Sequence, residues 1–120
     1  MPKVLVCDDS AFMRMMLKKL LTDLGHEIVG EAGDGKQAIQ LYRQFKPDLV
    51  TMDITMPVMD GIQAVKHIHD EDPLARIIMV TAIGQRSIIS DAIKAGASSF
   101  IVKPFDPEQV SEAVAKVLTE

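Results

Sequence analysis

Five polar residues of this 120-residue chain stand at the ends of short apolar runs, and their types suit a hard cation and a phosphoryl group. Lys3–Cys7 runs into Asp8 and Asp9; Leu49–Met52 ends on Asp53, Ile77–Val80 on Thr81, and Phe100–Val102 on Lys103. Two carboxylates about 4 Å apart repel by about 4 kcal/mol at an effective dielectric of about 20. Lys103 offsets one charge of the three acids, and a divalent cation closes the remaining gap. The donors are all oxygens, with no histidine or cysteine among them, so the expected ion is Mg2+, with Mn2+ as the other hard choice. Once a cation is bound, an anion becomes welcome, and metal, lysine and hydroxyl form a clamp suited to phosphoryl oxygens.

Asp53 is the expected nucleophile, because Asp60 already stands at the next helix start and leaves Asp53 no capping role. Its attack on phosphorus gives an aspartyl phosphate. Thr81 would hydrogen-bond a phosphoryl oxygen, small Ala82 would leave room, and Lys103 would pair with the same oxygens as a point charge. Asp8 and Asp9 have a competing role nearby, since Asp9 or Ser10 suits the cap of the first helix. Pro104 makes Lys103–Pro104 a candidate cis peptide.

The elements that must bring these residues together follow from hydrophobic period. Short buried runs at Lys3–Cys7, Glu27–Ala32, Asp48–Met52, Arg76–Val80 and Ser99–Val102 read as strands. Between them lie helix-period segments. The first, about Ala11 to Leu24, puts Phe12, Met16, Leu20 and Leu24 on one face beside Met13, Leu17 and Leu21, with Gly25 suited to the C′ position. The second is capped by Asp34 and buries Ala38, Leu41, Tyr42 and Phe45 before Pro47 ends it. The third starts at Asp60-Gly61 and carries Ile62, Val65 and Ile68. The fourth, roughly Gln85–Ala95, shows Ile88, Ile89, Ala92 and Ile93. Asp106-Pro107-Glu108 opens the last, which buries Val110, Ala113, Val114, Val117 and Leu118.

Five strand–helix units with right-handed crossovers predict an α/β fold: a doubly wound parallel sheet in the order 2-1-3-4-5, flavodoxin-like, with helices on both faces. Strand carboxyl ends share one edge there, and the switch point lies between strands 1 and 3. Asp8, Asp9 and Asp53 flank it.

Bulk properties narrow the rest. The length suits one domain, and Met1 with an end directly after the last helix favours a complete single-domain protein over 1–120, although a domain cut from a longer protein would read the same. A net charge of −4 argues against nonspecific nucleic-acid binding. No apolar run approaches the ~20 residues of a membrane span, and lone Cys7 fits a reducing, cytoplasmic compartment and an inert core position. His26, His67 and His69 read as ordinary surface histidines, and the eight methionines as packing and adaptable contact.

The runs Val6-Cys7-Asp8-Asp9-Ser10, Thr51 to Gly61, Val80-Thr81-Ala82 and Lys103-Pro104-Phe105 resemble a response-regulator receiver domain, nearest to the single-domain chemotaxis regulators of that family. The resemblance spans the chain. It implies that Asp53 accepts phosphate from a histidine kinase, that Asp9 and Asp53 ligate Mg2+ directly with the Thr55 carbonyl, and that Asp8 acts through water. It also implies a switch: Thr81 moves toward the phosphoryl group and Phe100 turns into the vacated space. Many chemotaxis relatives carry tyrosine at that position. The implied output face is helix 4, strand 5 and helix 5, with Ile89, Phe100 and Val102, and the implied partners are the kinase, a phosphatase and the flagellar motor switch protein, met by a cytoplasmic monomer. Ile83 and Thr55 would flank the path of the hydrolytic water, so bulky Ile83 is expected to slow self-dephosphorylation, and Ile83→Ala to speed it.

Beyond this self-phosphorylation and its hydrolysis no enzyme activity is expected. The rival readings are a haloacid-dehalogenase-like phosphatase and a flavin carrier. The phosphatase wants a second aspartate where Thr55 stands, and Asp8-Asp9 would repel a flavin phosphate.

Overall fold

The computed structural model describes residues 1–82 and 86–119, and in them strands and helices alternate without exception. They are β1 (Lys3–Cys7), α1 (Ala11–Asp23), β2 (Glu27–Ala32), α2 (Gly35–Phe45), β3 (Leu49–Asp53), α3 (Gly61–Glu71), β4 (Ile77–Ala82), α4 (Arg86–Ala95), β5 (Ser99–Lys103) and α5 (Pro107–Leu118). The strands form one parallel sheet in the order β2-β1-β3-β4-β5. The expected topology is the observed one. Ile83, and Gln85 at the expected start of the fourth helix, lie outside the described residues.

Side-chain alternation along the strands divides the core in two. Val4, Val6, Leu49, Ile78, Val80 and Ile101 pack with Leu17 and Leu21 of α1 and Val110, Val114 and Val117 of α5. Leu5, Cys7, Val50, Met52, Ile77 and Met79 face α2, α3 and α4. Every residue of β3 is buried, as a central parallel strand requires.

Helix starts fall where local chemistry puts them. Ser10, Asp34, Asp60 and Asp106 each accept a backbone N–H from three residues on, and Gln109 completes a capping box with Asp106. At the end of α1, Gly25 has φ 93° while its N–H and that of His26 return to the Thr22 and Leu21 carbonyls, a Schellman ending.

Several expectations need correction. The central stripe of α1 is Leu17 and Leu21, whereas Phe12, Met16 and Leu24 are exposed. The apolar pattern on α1 is wider than the arc that one sheet face and α5 can cover, so period alone does not say which row is central. On α2, Ile39 is buried and Phe45 lies at the border of exposure over β2 at Gly30. On α4, Ile93 is exposed. His67 is exposed as expected, but His26 and His69 are half-buried; the His69 ring lies against Gly96 at the end of α4. Strand bounds shift too: β3 starts at Leu49 rather than Asp48, β4 at Ile77 rather than Arg76. Asp53, Thr81 and Lys103 belong to their strands, because cross-strand pairing continues through Asp53–Val80, Thr81–Val102 and Ala82–Lys103.

Candidate metal and phosphoacceptor site

The row Val4–Val6 continues into Asp8, Leu49–Thr51 into Asp53, and Ile101 into Lys103, so period-2 alternation aims all three charges to the α1/α5 side at the carboxyl edge. Asp8, Asp9 and Asp53 each offer an oxygen within 4.8 Å of the others'. Asp8 and Asp53 are buried and Asp9 is exposed. Lys103 Nζ donates to Asp8 Oδ2 at 3.2 Å and to Asp53 Oδ1 at 3.4 Å. Residues nearly a hundred positions apart thus share one pocket. The Lys103–Pro104 bond is cis, as expected.

Asp8 is held through its backbone as well as its carboxylate. Its N–H donates to the Ala32 carbonyl at 2.9 Å, and its Oδ1 accepts the Ser10 N–H at 2.9 Å. Its carbonyl accepts Arg14 Nη1 at 2.6 Å. Arg14 in turn pairs with Glu31 at 3.1 Å, and Lys18 reaches the other Glu31 oxygen at 2.8 Å. The Lys18 hydrogen bond is the main reason the Glu31 carboxyl sits below its ordinary range, with Arg14 adding to it. Arg14 and Glu31 carry no local sequence signal, since they meet only because β2 lies beside β1.

Asp53 shows what this crowding does. Burial, and then the Asp8 charge, push its carboxyl from an ordinary 3.8 up to about 6, against the opposing pull of Lys103. A site that disfavours its own negative charge favours a cation. Three carboxylates and oxygen donors alone fit Mg2+ in kind and number. Burial also pushes the neighbouring Cys7 thiol up, which leaves it inert in the core.

Thr55 is exposed on the β3–α3 loop, which tightens at Val58: Met59 N–H donates to the Pro57 carbonyl at 2.7 Å around a residue with φ 68°, a strained γ-turn for a β-branched side chain. Thr81 is fully buried, and its hydroxyl donates to the Ala82 carbonyl at 3.4 Å. It continues the Ile77–Met79 row, on the α4 side of the sheet. Phe100, paired with Met79, is 44% exposed.

Comparison with known proteins agrees with this geometry. Residues 4–115 match the response regulator receiver domain. The chain is 56% identical to the chemotaxis protein CheY of Thermotoga maritima over 115 residues, covering 96% of each chain. It is also 56% identical to the chemotaxis protein CheY of Bacillus subtilis, over 116 residues and 97% of each. Among solved structures it resembles CheY in the CheX–CheY–BeF3–Mg2+ complex of Borrelia burgdorferi, with a TM-score of 0.94, 39% identity, and 98% and 90% of the two chains covered. The chain belongs to the response regulator receiver family and is CheY-like within it. Receiver domains of this type are signalling proteins, and the family binds Mg2+, which favours a signalling role over the phosphatase and flavin-carrier readings. No described helix is long and apolar enough to cross a membrane.

Proposed function

We propose that this chain, as one receiver domain over 1–120, is a cytoplasmic, monomeric chemotaxis regulator that accepts a phosphoryl group on Asp53 from a histidine kinase. Phosphorylation changes its affinity for the flagellar motor switch protein, and a phosphatase resets it. The observation that carries this reading is the meeting of Asp8, Asp9, Asp53 and Lys103 in one pocket of a chain 56% identical to two chemotaxis proteins.

The Asp9 and Asp53 carboxylates and the Thr55 carbonyl would hold Mg2+, with Asp8 acting through water. The ion, when bound, would supply positive charge for the phosphoryl oxygens. The Asp53 carboxylate attacks in line: its oxygen bonds phosphorus as the nitrogen–phosphorus bond of the phosphohistidine breaks and the imidazole leaves with the electron pair. Lys103 moves from its two carboxylates to the new phosphoryl oxygens. Water later attacks phosphorus, releasing inorganic phosphate and restoring the carboxylate.

The signal leaves through Thr81 and Phe100. They lie on the same side of neighbouring strands, two pairs apart in register, so a shift of the Thr81 hydroxyl toward the phosphoryl group opens space where the Phe100 ring can turn inward. With phenylalanine in place of tyrosine, the coupling rests on packing. The equilibrium between outward and inward ring is biased, and with it the shape of the face that bears Ile89, Phe100 and Val102.

Incubation with a small-molecule phosphodonor and Mg2+ tests this. The wild type gains the mass of one phosphoryl group and binds a motor-switch peptide more tightly; Asp53→Asn and chelator-treated samples do neither. Label retained by Asp53→Asn contradicts the assignment, and an affinity unmoved by phosphate contradicts the chemotaxis output.

A further inference from the structure

Both helices that flank the β3–α3 loop begin with a buried glycine, and both glycines spend their first-turn N–H on that loop. The opening N–H groups of a helix have no partner within it. In α3, Gly61 N–H donates to the Ile54 carbonyl at 2.8 Å; in α2, Gly35 N–H donates to the Met59 carbonyl at 3.0 Å. The loop is therefore pinned at 54 by one helix and at 59 by another, with Thr55 between the pins.

Neither contact leaves room for a side chain. A Cβ on Gly61 would overlap the Asp53 carbonyl oxygen and lie 2.9 Å from the Asp53 carbonyl carbon and 3.0 Å from Ile54 Cα. A Cβ on Gly35 would overlap the Met59 carbonyl oxygen and lie 2.9 Å from Met59 Cβ. These neighbours are backbone, or fixed to it, so they yield only if the loop moves. The nearby Gly33 differs: a Cβ there meets Arg14 and Gln37 at 3.7 Å, ordinary contact.

We propose that Gly35 and Gly61 are positioning residues for the metal site, hanging the 54–59 loop between the N-termini of α2 and α3 so that the Thr55 carbonyl faces the acids. This rests on the reading above in which that carbonyl is a metal ligand. Gly61 sets the loop's start against Asp53 itself. Gly35 acts from a helix that supplies no ligand. Groups that orient a ligand from behind commonly govern metal affinity about ten- to a hundredfold.

Calorimetric Mg2+ titration of wild type, Gly35→Ala, Gly61→Ala and Gly33→Ala, each with a denaturation curve, tests the proposal. Mg2+ affinity is expected to fall about tenfold or more in Gly35→Ala, at least as far in Gly61→Ala, and not in Gly33→Ala. Adding Met59→Gly to Gly35→Ala, which removes one clash and lets the 59 carbonyl rotate, recovers part of the loss; a defect confined to α2 would not be recovered. Gly35→Ala within twofold of wild type overturns the proposal. Should that variant not fold, the wild type decides: the Gly35 and Gly61 amide resonances move with Mg2+ at the midpoint of the Asp53 carboxyl resonance, and stationary amides overturn it. A wild type that binds no Mg2+ overturns the functional reading beneath the proposal, a result distinct from an insensitive Gly35→Ala.

Discussion

At the amino edge of the sheet, Lys3 N–H donates to Asp48 Oδ2, Asp48 N–H returns to the Lys3 carbonyl, and Glu27 N–H reaches the Pro2 carbonyl. At the carboxyl edge, Asp8 and Asp53 are buried together with Asp9 close by, and a half-exposed lysine divides itself between two of them. One edge gives polar groups partners of opposite kind; the other gathers charges of the same kind. Stability is spent where chemistry is done. Helix starts at Ser10, Asp34, Asp60 and Asp106 are satisfied by local rules, whereas the acid pocket sets like charges side by side.

Substitutions on the two sides of this contrast should move stability in opposite directions. The largest effect belongs to the core: Ile78→Ala, fully buried between the α1 and α5 stripes, should destabilise by about 2–5 kcal/mol in urea unfolding. Asp53→Asn should do the reverse in metal-free buffer. Because the folded carboxyl lies at about 6 and the unfolded one at 3.8, folding binds a proton between those values, and the wild type loses stability as pH rises through that window. The variant should therefore gain about 1–3 kcal/mol above pH 6 and show no gain below about pH 4, as paired unfolding curves would reveal. Added Mg2+ should stabilise the wild type and leave Asp53→Asn nearly unmoved.

Thr51 sharpens the contrast, since it lies in the same row as Asp53 with its hydroxyl buried and unpartnered among the described residues. Thr51→Val keeps the shape and removes that group, so thermal unfolding should show a gain of about 1–2 kcal/mol. The smallest effect is at a satisfied cap: Asp106→Ala should cost about 1 kcal/mol, with Mg2+ binding unchanged.

What the sequence discloses follows the same division. Sheet order, cap residues and the four charged members of the pocket are legible because each depends on local period or on a residue at a strand end. The exact strand limits are not, since Thr81 and Lys103 are claimed by pairing with Val102 and Ala82 across the sheet rather than by their own composition. The buried stripe of α1 is legible to within one row, because the sheet face and α5 together, not α1 alone, decide which row is covered. Glu31 behind Arg14 and Gly35 behind Met59 are silent in the sequence. Their contacts exist only once β2 and α2 have docked beside the central strands.

A carboxyl-carbon NMR titration of Asp53, with and without Mg2+, bears most directly on the claim that crowded acids prepare this residue for a cation and a phosphoryl group. The metal-free protein should titrate near 6, and Mg2+ should drive that value down as it relieves the repulsion. An ordinary carboxyl value near 3.8 that ignores Mg2+ would contradict the account.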